Sequence, residues 1–210
     1  MQENGHVIIF EGEDGVGKTT QIGFAEQDML NDGHRVMRMR EPGGTPFAEA
    51  IRTTVKDARI PRHPLAEAAI ILASRIDQWY ERAEPALADG ITLLCDRSFE
   101  SSIIFQGKAG GVDVAILEDM HRLTLPKRYL KPDMLLLFMI LDPQVRLERL
   151  NSRGVSDIPD AMETRDIHYQ QHVREGYLEL AQQPHVTIID SSGSQQEVRA
   201  LVQDKIKTLY

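Results

Sequence analysis

Cysteine is almost missing from this chain, with Cys95 the single example in 210 residues. One thiol excludes an internal disulfide framework, and its setting in Ile91–Cys95 (ITLLC) predicts a buried, reduced side chain rather than a nucleophile. Long apolar runs are also lacking. The longest, Met134 to Leu141, falls far short of the roughly 20 residues that a membrane-spanning helix needs. Positive charge is not in excess either, since 24 Lys and Arg face 32 Asp and Glu for a net charge of -8. Such a field repels polyanions, which argues against a general binder of nucleic acid or of an anionic membrane. The opening MQENGH is polar and acidic, unlike a secretory leader, so a cytoplasmic protein is expected. No Ser-His-Asp or Cys-His arrangement is readable. His168 and His172 stand four apart without a third metal ligand and read as a surface pair. With 41% hydrophobic residues, the chain can build one full core, and 1–210 is expected to be a single domain.

Five apolar runs end in acidic or turn residues: Val7–Phe10, Val36–Met39, Ile91–Cys95, Met134–Leu141 and Val186–Ile189. Their hydrophobicity is nearly continuous, the mark of strands covered on both faces. Helical stretches lie between and after them: Thr20–Asn31, Pro46–Lys56, Leu65–Arg82, Val114–Leu123, Pro143–Leu150, Ile167–Gln182 and Gln195–Leu209. Strand alternating with helix predicts α/β architecture, with a parallel sheet of about five strands between helical layers. Ligands then bind beyond the carboxyl ends of the strands.

The first strand runs directly into the pattern G-x-x-x-x-G-K-T, carried by Gly12, Gly17, Lys18 and Thr19. Glycines let successive peptide N–H groups turn inward, and the following helix adds its partial positive charge, so Gly12, Glu13, Asp14, Gly15, Val16, Gly17, Lys18, Thr19 and Thr20 form a candidate phosphate cradle. Lys18 is placed for the β- and γ-phosphates of ATP, and the Thr19 hydroxyl for Mg²⁺. At the end of the third run, Asp96 is the candidate second Mg²⁺ ligand, and Arg97 offers a planar fork for another phosphate.

Arg40 and Arg52 bracket REPGGTPFAEAIR, in which Pro42-Gly43-Gly44 is a turn, Thr45 an N-cap and Glu49 a support for the helix that starts at Pro46. Both arginines suit a grip on a phosphoester; a solvated helix cap with scattered charges fits the spacing as well. Arg75 sits among Ile70, Ile71, Ala73 and Ile76 and needs partners, either Asp77 and the neighbours of Glu67 or a heterocyclic base. Arg146, Arg149 and Arg153 lead into the polar segment Arg153 to Arg165, which contains Pro159 and reads as a lid or a surface loop; its flanking arginines favour the lid.

Taken together, FEGEDGVGKTT, REPGGT, DRSFESSIIFQG and IIDSSGSQQEV resemble the motifs of the thymidylate kinases, bacterial-type P-loop nucleoside monophosphate kinases, in order and at matching distances from about Val7 to Asp190. The resemblance implies a P-loop NTPase fold with the acceptor nucleotide near residues 40–82 and a lid near 150–166. It implies that Asp14 accepts from the acceptor's 3′-hydroxyl, that Arg97 and Arg40 hold its 5′-phosphate, and that Arg75 donates to thymine beside Ser101 and Gln106. Arg149 and Arg153 would then be the lid arginines, and a homodimer would form through the apolar helices. Three positions depart from the family pattern. Ile71 stands where a stacking Phe is usual, forfeiting about 1 kcal/mol. Phe105 keeps a ring but loses a hydroxyl, and the lid shows Asp157 and Glu163 instead of Asp-Arg-x-Glu.

The expected activity is transfer of the γ-phosphoryl group of ATP, with Mg²⁺, to a deoxynucleoside monophosphate, dTMP by resemblance. Lys18, Arg97, Arg149 and Arg153 are the candidate catalytic residues. The alternatives are a kinase for another deoxynucleotide or a deoxynucleoside, or a nucleotide-binding module without turnover.

Overall fold

The computed structural model describes residues 5–142, 144, 145, 148 and 165–210. The central sheet holds five parallel strands in the order β2-β3-β1-β4-β5, formed by β1 (Val7–Gly12), β2 (Val36–Arg40), β3 (Thr92–Asp96), β4 (Met134–Met139) and β5 (Val186–Asp190). Within the apolar runs a period of two sorts side chains between two cores. Val7, Ile9, Leu93, Cys95, Leu135 and Leu137 enter one cluster, with Trp79, Tyr129 and Tyr177. Ile8, Phe10, Leu94, Leu136 and Phe138 enter the other, against Ile22, Ala25, Met29, Val198 and Val202. Both faces of β1, β3 and β4 are buried, so the alternation is invisible in their sequence, whereas the edge strands β2 and β5 are partly exposed, against the expectation that all five runs are covered on both faces.

The second core lies under α1 (Lys18–Asn31) and α9 (Gln195–Ile206), numbering helices among the described residues. After β2 come α2 (Pro46–Lys56) and α3 (Pro64–Gln78), followed by a π-helical turn at Trp79–Ala83 and α4 (Glu84–Ala88). The expected helix Leu65–Arg82 therefore ends earlier, at Gln78. Pro85 lies just beyond the wider turn; it has no N–H for the ladder, and its ring crowds the carbonyl four residues back. β4 stops at Met139, short of the expected Leu141, which is exposed.

After β3 come α5 (Phe99–Ser102) and a π-helical stretch, Ile103–Lys108, neither of which the periodicity revealed. Five of the six residues in that stretch are buried, so polar Gln106 and Gly107 break the apolar stripe that would signal a helix. Chain order then gives α6 (Val114–Thr124), the short α7 (Lys127–Leu130) and α8 (Ile167–Leu180). The expected lid falls almost wholly on residues 151–164, outside those described, and so do Arg146, Arg149 and Arg153.

Candidate active site

Where β1 gives way to α1, three glycines hold positive-φ conformations that other residues rarely adopt. Gly12 has φ 141, and a Cβ there would stand 2.3 Å from the Phe138 carbonyl oxygen of the neighbouring strand. Gly15 and Gly17 follow at φ 88 and 91, and Gly17 is the N-cap of α1, whose first turn carries no acidic residue to fill its free N–H groups. Lys18 folds back over the loop, its Nζ donating to the Gly12 and Glu13 carbonyls at 2.8 Å each. Burial, and then the nearby Arg97 guanidinium, lower its pKa from 10.5 to about 8. The attraction of a bound anion would oppose both effects. Val16 is 2% exposed and packs into the core under the loop; its side chain joins the apolar cluster there.

Beside the loop, Asp96 pairs with Phe10 in the β1–β3 register, and this brings its Oδ2 to 3.1 Å from the Thr19 hydroxyl. A carboxylate and a hydroxyl at one strand end are hard oxygen donors suited to Mg²⁺. Arg97 follows with φ 77, the one positive φ of a non-glycine residue among the described residues. That strained turn, held by the Arg97 N–H bond to the Phe10 carbonyl at 3.0 Å, sends the guanidinium back across the loop. Its Nη2 meets Asp14 at 2.6 Å, and its Nη1 reaches Ser101 Oγ at 3.1 Å and the Tyr177 hydroxyl at 3.0 Å. The Arg97 charge also stands over the Phe105 ring, 5.1 Å from its centroid.

Glu11 is one of the residues that motif reading overlooked. It is fully buried and accepts from the Ser98 N–H at 2.7 Å, the Ser98 and Ser101 hydroxyls at 3.0 Å and the Tyr177 hydroxyl at 3.2 Å. Its carboxylate thus ties β1 to the turn that aims Arg97. Only its place in FEGEDG, next to the first loop glycine, set it apart in the sequence.

At the far end of the cavity, Arg40 donates from Nη2 to both Glu49 oxygens at 2.8 Å, and Arg52 donates from Nη1 to the Pro42 carbonyl at 2.9 Å. Glu49 also accepts from the Gly44 N–H at 2.7 Å, and these bonds, led by Arg40, pull its pKa down. Arg75 is only 2% exposed. Its ion partner is Glu41, at 2.6 Å from Nε, not Asp77 or the neighbours of Glu67 as the local sequence suggested. Asp77 instead accepts from the Thr45 hydroxyl, and Glu67 is taken up by Arg62, Arg165 and Gln106. Partners within one helix turn lost because α3 presents Arg75 inward, toward the end of β2.

One cavity of about 800 Å³ joins these groups. The loop from Asp14 to Thr20 lines its middle, with Asp96 and Arg97 opposite, while Gly12 and Glu13 are set back. Arg40, Arg52, Ile71 and Arg75 form one end with Ser101, Phe105 and Gln106. Gly193, Ser194, Gln195 and Val198, from the IIDSSGSQQEV segment and the start of α9, form the other. Every substrate-side residue expected from the sequence therefore lines a single cleft, whereas Arg149 and Arg153 fall outside the described residues.

A family model described as thymidylate kinase matches residues 10–202. The chain belongs to the thymidylate kinase family. Relatives named thymidylate kinase include one from Deinococcus radiodurans, 35% identical over 198 residues that cover 93% of each chain. Another, from Geobacter sulfurreducens, is 35% identical over 209 residues, 95% of each chain. A third, from Gloeobacter violaceus, is 37% identical over 83% of this chain and 80% of its own. The cleft of this thymidylate kinase family member holds the glycine-rich loop, the strand-end Asp96-Arg97 pair and the buried Arg75, and Ile71 gives the Arg75 end an aliphatic wall.

Proposed function

We propose that this protein transfers the γ-phosphoryl group of ATP to dTMP, giving dTDP and ADP. The observation that carries the reading is the convergence in one cleft of a glycine-built anion cradle with Lys18, and of Arg97 on the opposite wall. In this reading the triphosphate lies along the loop and the N-terminus of α1, with Lys18 leaving the Gly12 and Glu13 carbonyls for the β- and γ-phosphates. Thr19 and Asp96 would hold Mg²⁺, which supplies charge neutralisation between the phosphates. Arg97 and Arg40 exchange Asp14 and Glu49 for the acceptor's 5′-phosphate, and Asp14 is freed for the 3′-hydroxyl. Arg75, Ser101, Phe105, Gln106 and Ile71 surround the base, and Arg52 closes the phosphate end. Arg149 and Arg153, which lie outside the described residues, would complete the neutralisation.

Chemically, an oxygen of the acceptor phosphate attacks the γ-phosphorus. The bond from that phosphorus to the β–γ bridging oxygen breaks, and its electron pair leaves with ADP. No general base is required, because a phosphomonoester with a second pKa near about 6 is already mostly dianionic at neutral pH. Alignment and charge neutralisation then account for catalysis. The remaining expectations belong to the same proposal: one domain over 1–210, a cytoplasmic setting and a homodimer.

A coupled ADP-release assay with dTMP, dUMP, dCMP, dGMP and thymidine, with Lys18→Ala as control, tests the reading. dTMP should be the best acceptor, and Lys18→Ala should lower turnover at least about a hundredfold. Equal ADP release by both proteins would remove the enzymatic reading, and preference for thymidine would move it to nucleoside kinases.

A further inference from the structure

Arg75 lines the acceptor end of the cleft, yet most of its guanidinium is already committed. Its Nε donates to Glu41 at 2.6 Å, and one Nη2 hydrogen goes to the Ser98 carbonyl at 2.8 Å. The two Nη1 hydrogens go to Ser102 Oγ at 3.1 Å and to His121 Nε2, 2.5 Å away. A guanidinium has five N–H donors, so among the described residues one Nη2 hydrogen is left for the cleft. Glu41 is itself pinned by the Tyr129 hydroxyl at 2.9 Å.

The His121 contact constrains chemistry as well as position. Arginine has no lone pair to offer, so Nε2 must accept. On the other side of the ring, Nδ1 lies 2.6 Å from the Leu117 carbonyl, which can only accept, so Nδ1 must carry the hydrogen. The ring is therefore neutral and held in one tautomer by its own helix, α6. Burial, then the Arg75 charge, lower the His121 pKa to about 4, in keeping with that neutral form. His121 itself is absent from the lining of the cleft and is 1% exposed, so it reaches a ligand only through Arg75.

We propose that His121 is a positioning residue for acceptor selectivity, its Nε2 lone pair locking the Arg75 guanidinium so that a single, fixed N–H faces the base. The proposal deepens the dTMP kinase reading and rests on it. A fixed donor satisfies the 4-oxo group of thymine and opposes the 4-amino group of cytosine, which brings hydrogens of its own. Without the lone pair, Nη1 loses a buried acceptor and the guanidinium can turn to reduce the mismatch.

Steady-state kinetics with dTMP and dCMP on the full chain test this, using His121→Ala, His121→Asn and His121→Gln. Asn can keep a donor for the Leu117 carbonyl but is too short to reach Arg75, so it carries the test should the alanine variant fail to fold. Gln can place an acceptor near the Nε2 position. The Ala and Asn variants should raise KM for dTMP about tenfold and narrow the dTMP-over-dCMP preference by a similar factor, with kcat and KM for ATP little changed. His121→Gln should recover most of that loss. An unchanged dTMP-over-dCMP preference in His121→Asn, or equal losses in KM for ATP and dTMP, would overturn the proposal while leaving the kinase reading intact. A wild-type protein that fails to phosphorylate dTMP would sink the reading beneath it.

Discussion

Lys18 holds a charge that the fold makes costly. Its pKa falls from 10.5 to about 8, chiefly through burial, so below about pH 8 the folded state bears a desolvated ammonium. Between pH 8 and 10.5 the folded protein has released this proton and the unfolded chain has not. Stability contributed by this group therefore rises with pH across that window. In urea unfolding, the stability of Lys18→Met relative to wild type should fall by about 2–3 kcal/mol between pH 7.5 and 10. A pH-independent difference between the two proteins would show that Lys18 is not desolvated in the ligand-free state. At this scale the sequence was an uneven guide. Lys18, Thr19, Asp96 and Arg97 were legible because a local motif carries them. Glu11, Glu41 and His121 were not, because their importance lies in burial and in partners far along the chain, such as the 87 positions between Glu11 and Ser98.

The turn before α2 shows how an element can be readable and still hold a surprise. Thr45 caps the helix as expected, accepting from the Ala48 N–H at 3.0 Å, with Pro46 in the first turn. Glu49 supports the backbone, but at Gly44, one residue before the cap, while also holding Arg40. Thr45→Ala should cost about 1 kcal/mol in thermal or denaturant unfolding. Because the same hydroxyl donates to Asp77, the change should also loosen the α2–α3 contact. Gly44→Ala should be more damaging, for Gly44 has φ 96 and a Cβ would stand 2.1 Å from Gln78 Nε2. We expect it to raise KM for dTMP more than KM for ATP, since this turn borders only the acceptor end; an equal rise in both would contradict that assignment. The π-helical stretch at Ile103–Lys108 was not legible. Five of its six residues are buried, so no amphipathic stripe is written into the sequence.

Across the whole molecule, the proposed homodimer can be tested at one exposed apolar face. Ile116 and Leu123, seven residues apart on α6 and so on one face, are 46% and 72% exposed. Tyr80, 46% exposed, reaches the Thr124 carbonyl at the end of the same helix. Ile116→Asp with Leu123→Asp should convert a dimer into monomers in sedimentation velocity, leaving the far-ultraviolet spectrum unchanged. A wild-type protein that sediments as a monomer at micromolar concentration would remove the dimer from the proposal.

By itself, the sequence determined the alternation of strand and helix, the five parallel strands and the glycine-rich loop after β1. Each of these depends on neighbouring residues: hydrophobic runs, turn glycines, a lysine one step beyond. Tertiary structure alone decided which carboxylates face the cleft arginines Arg75 and Arg97. Arg75 finds Glu41 34 positions away and His121 46 positions away, and Arg97 finds Asp14 across 83. Buried charges must be paired wherever the fold brings an opposite group within reach, and that distance is set by sheet order and helix packing rather than by proximity along the chain.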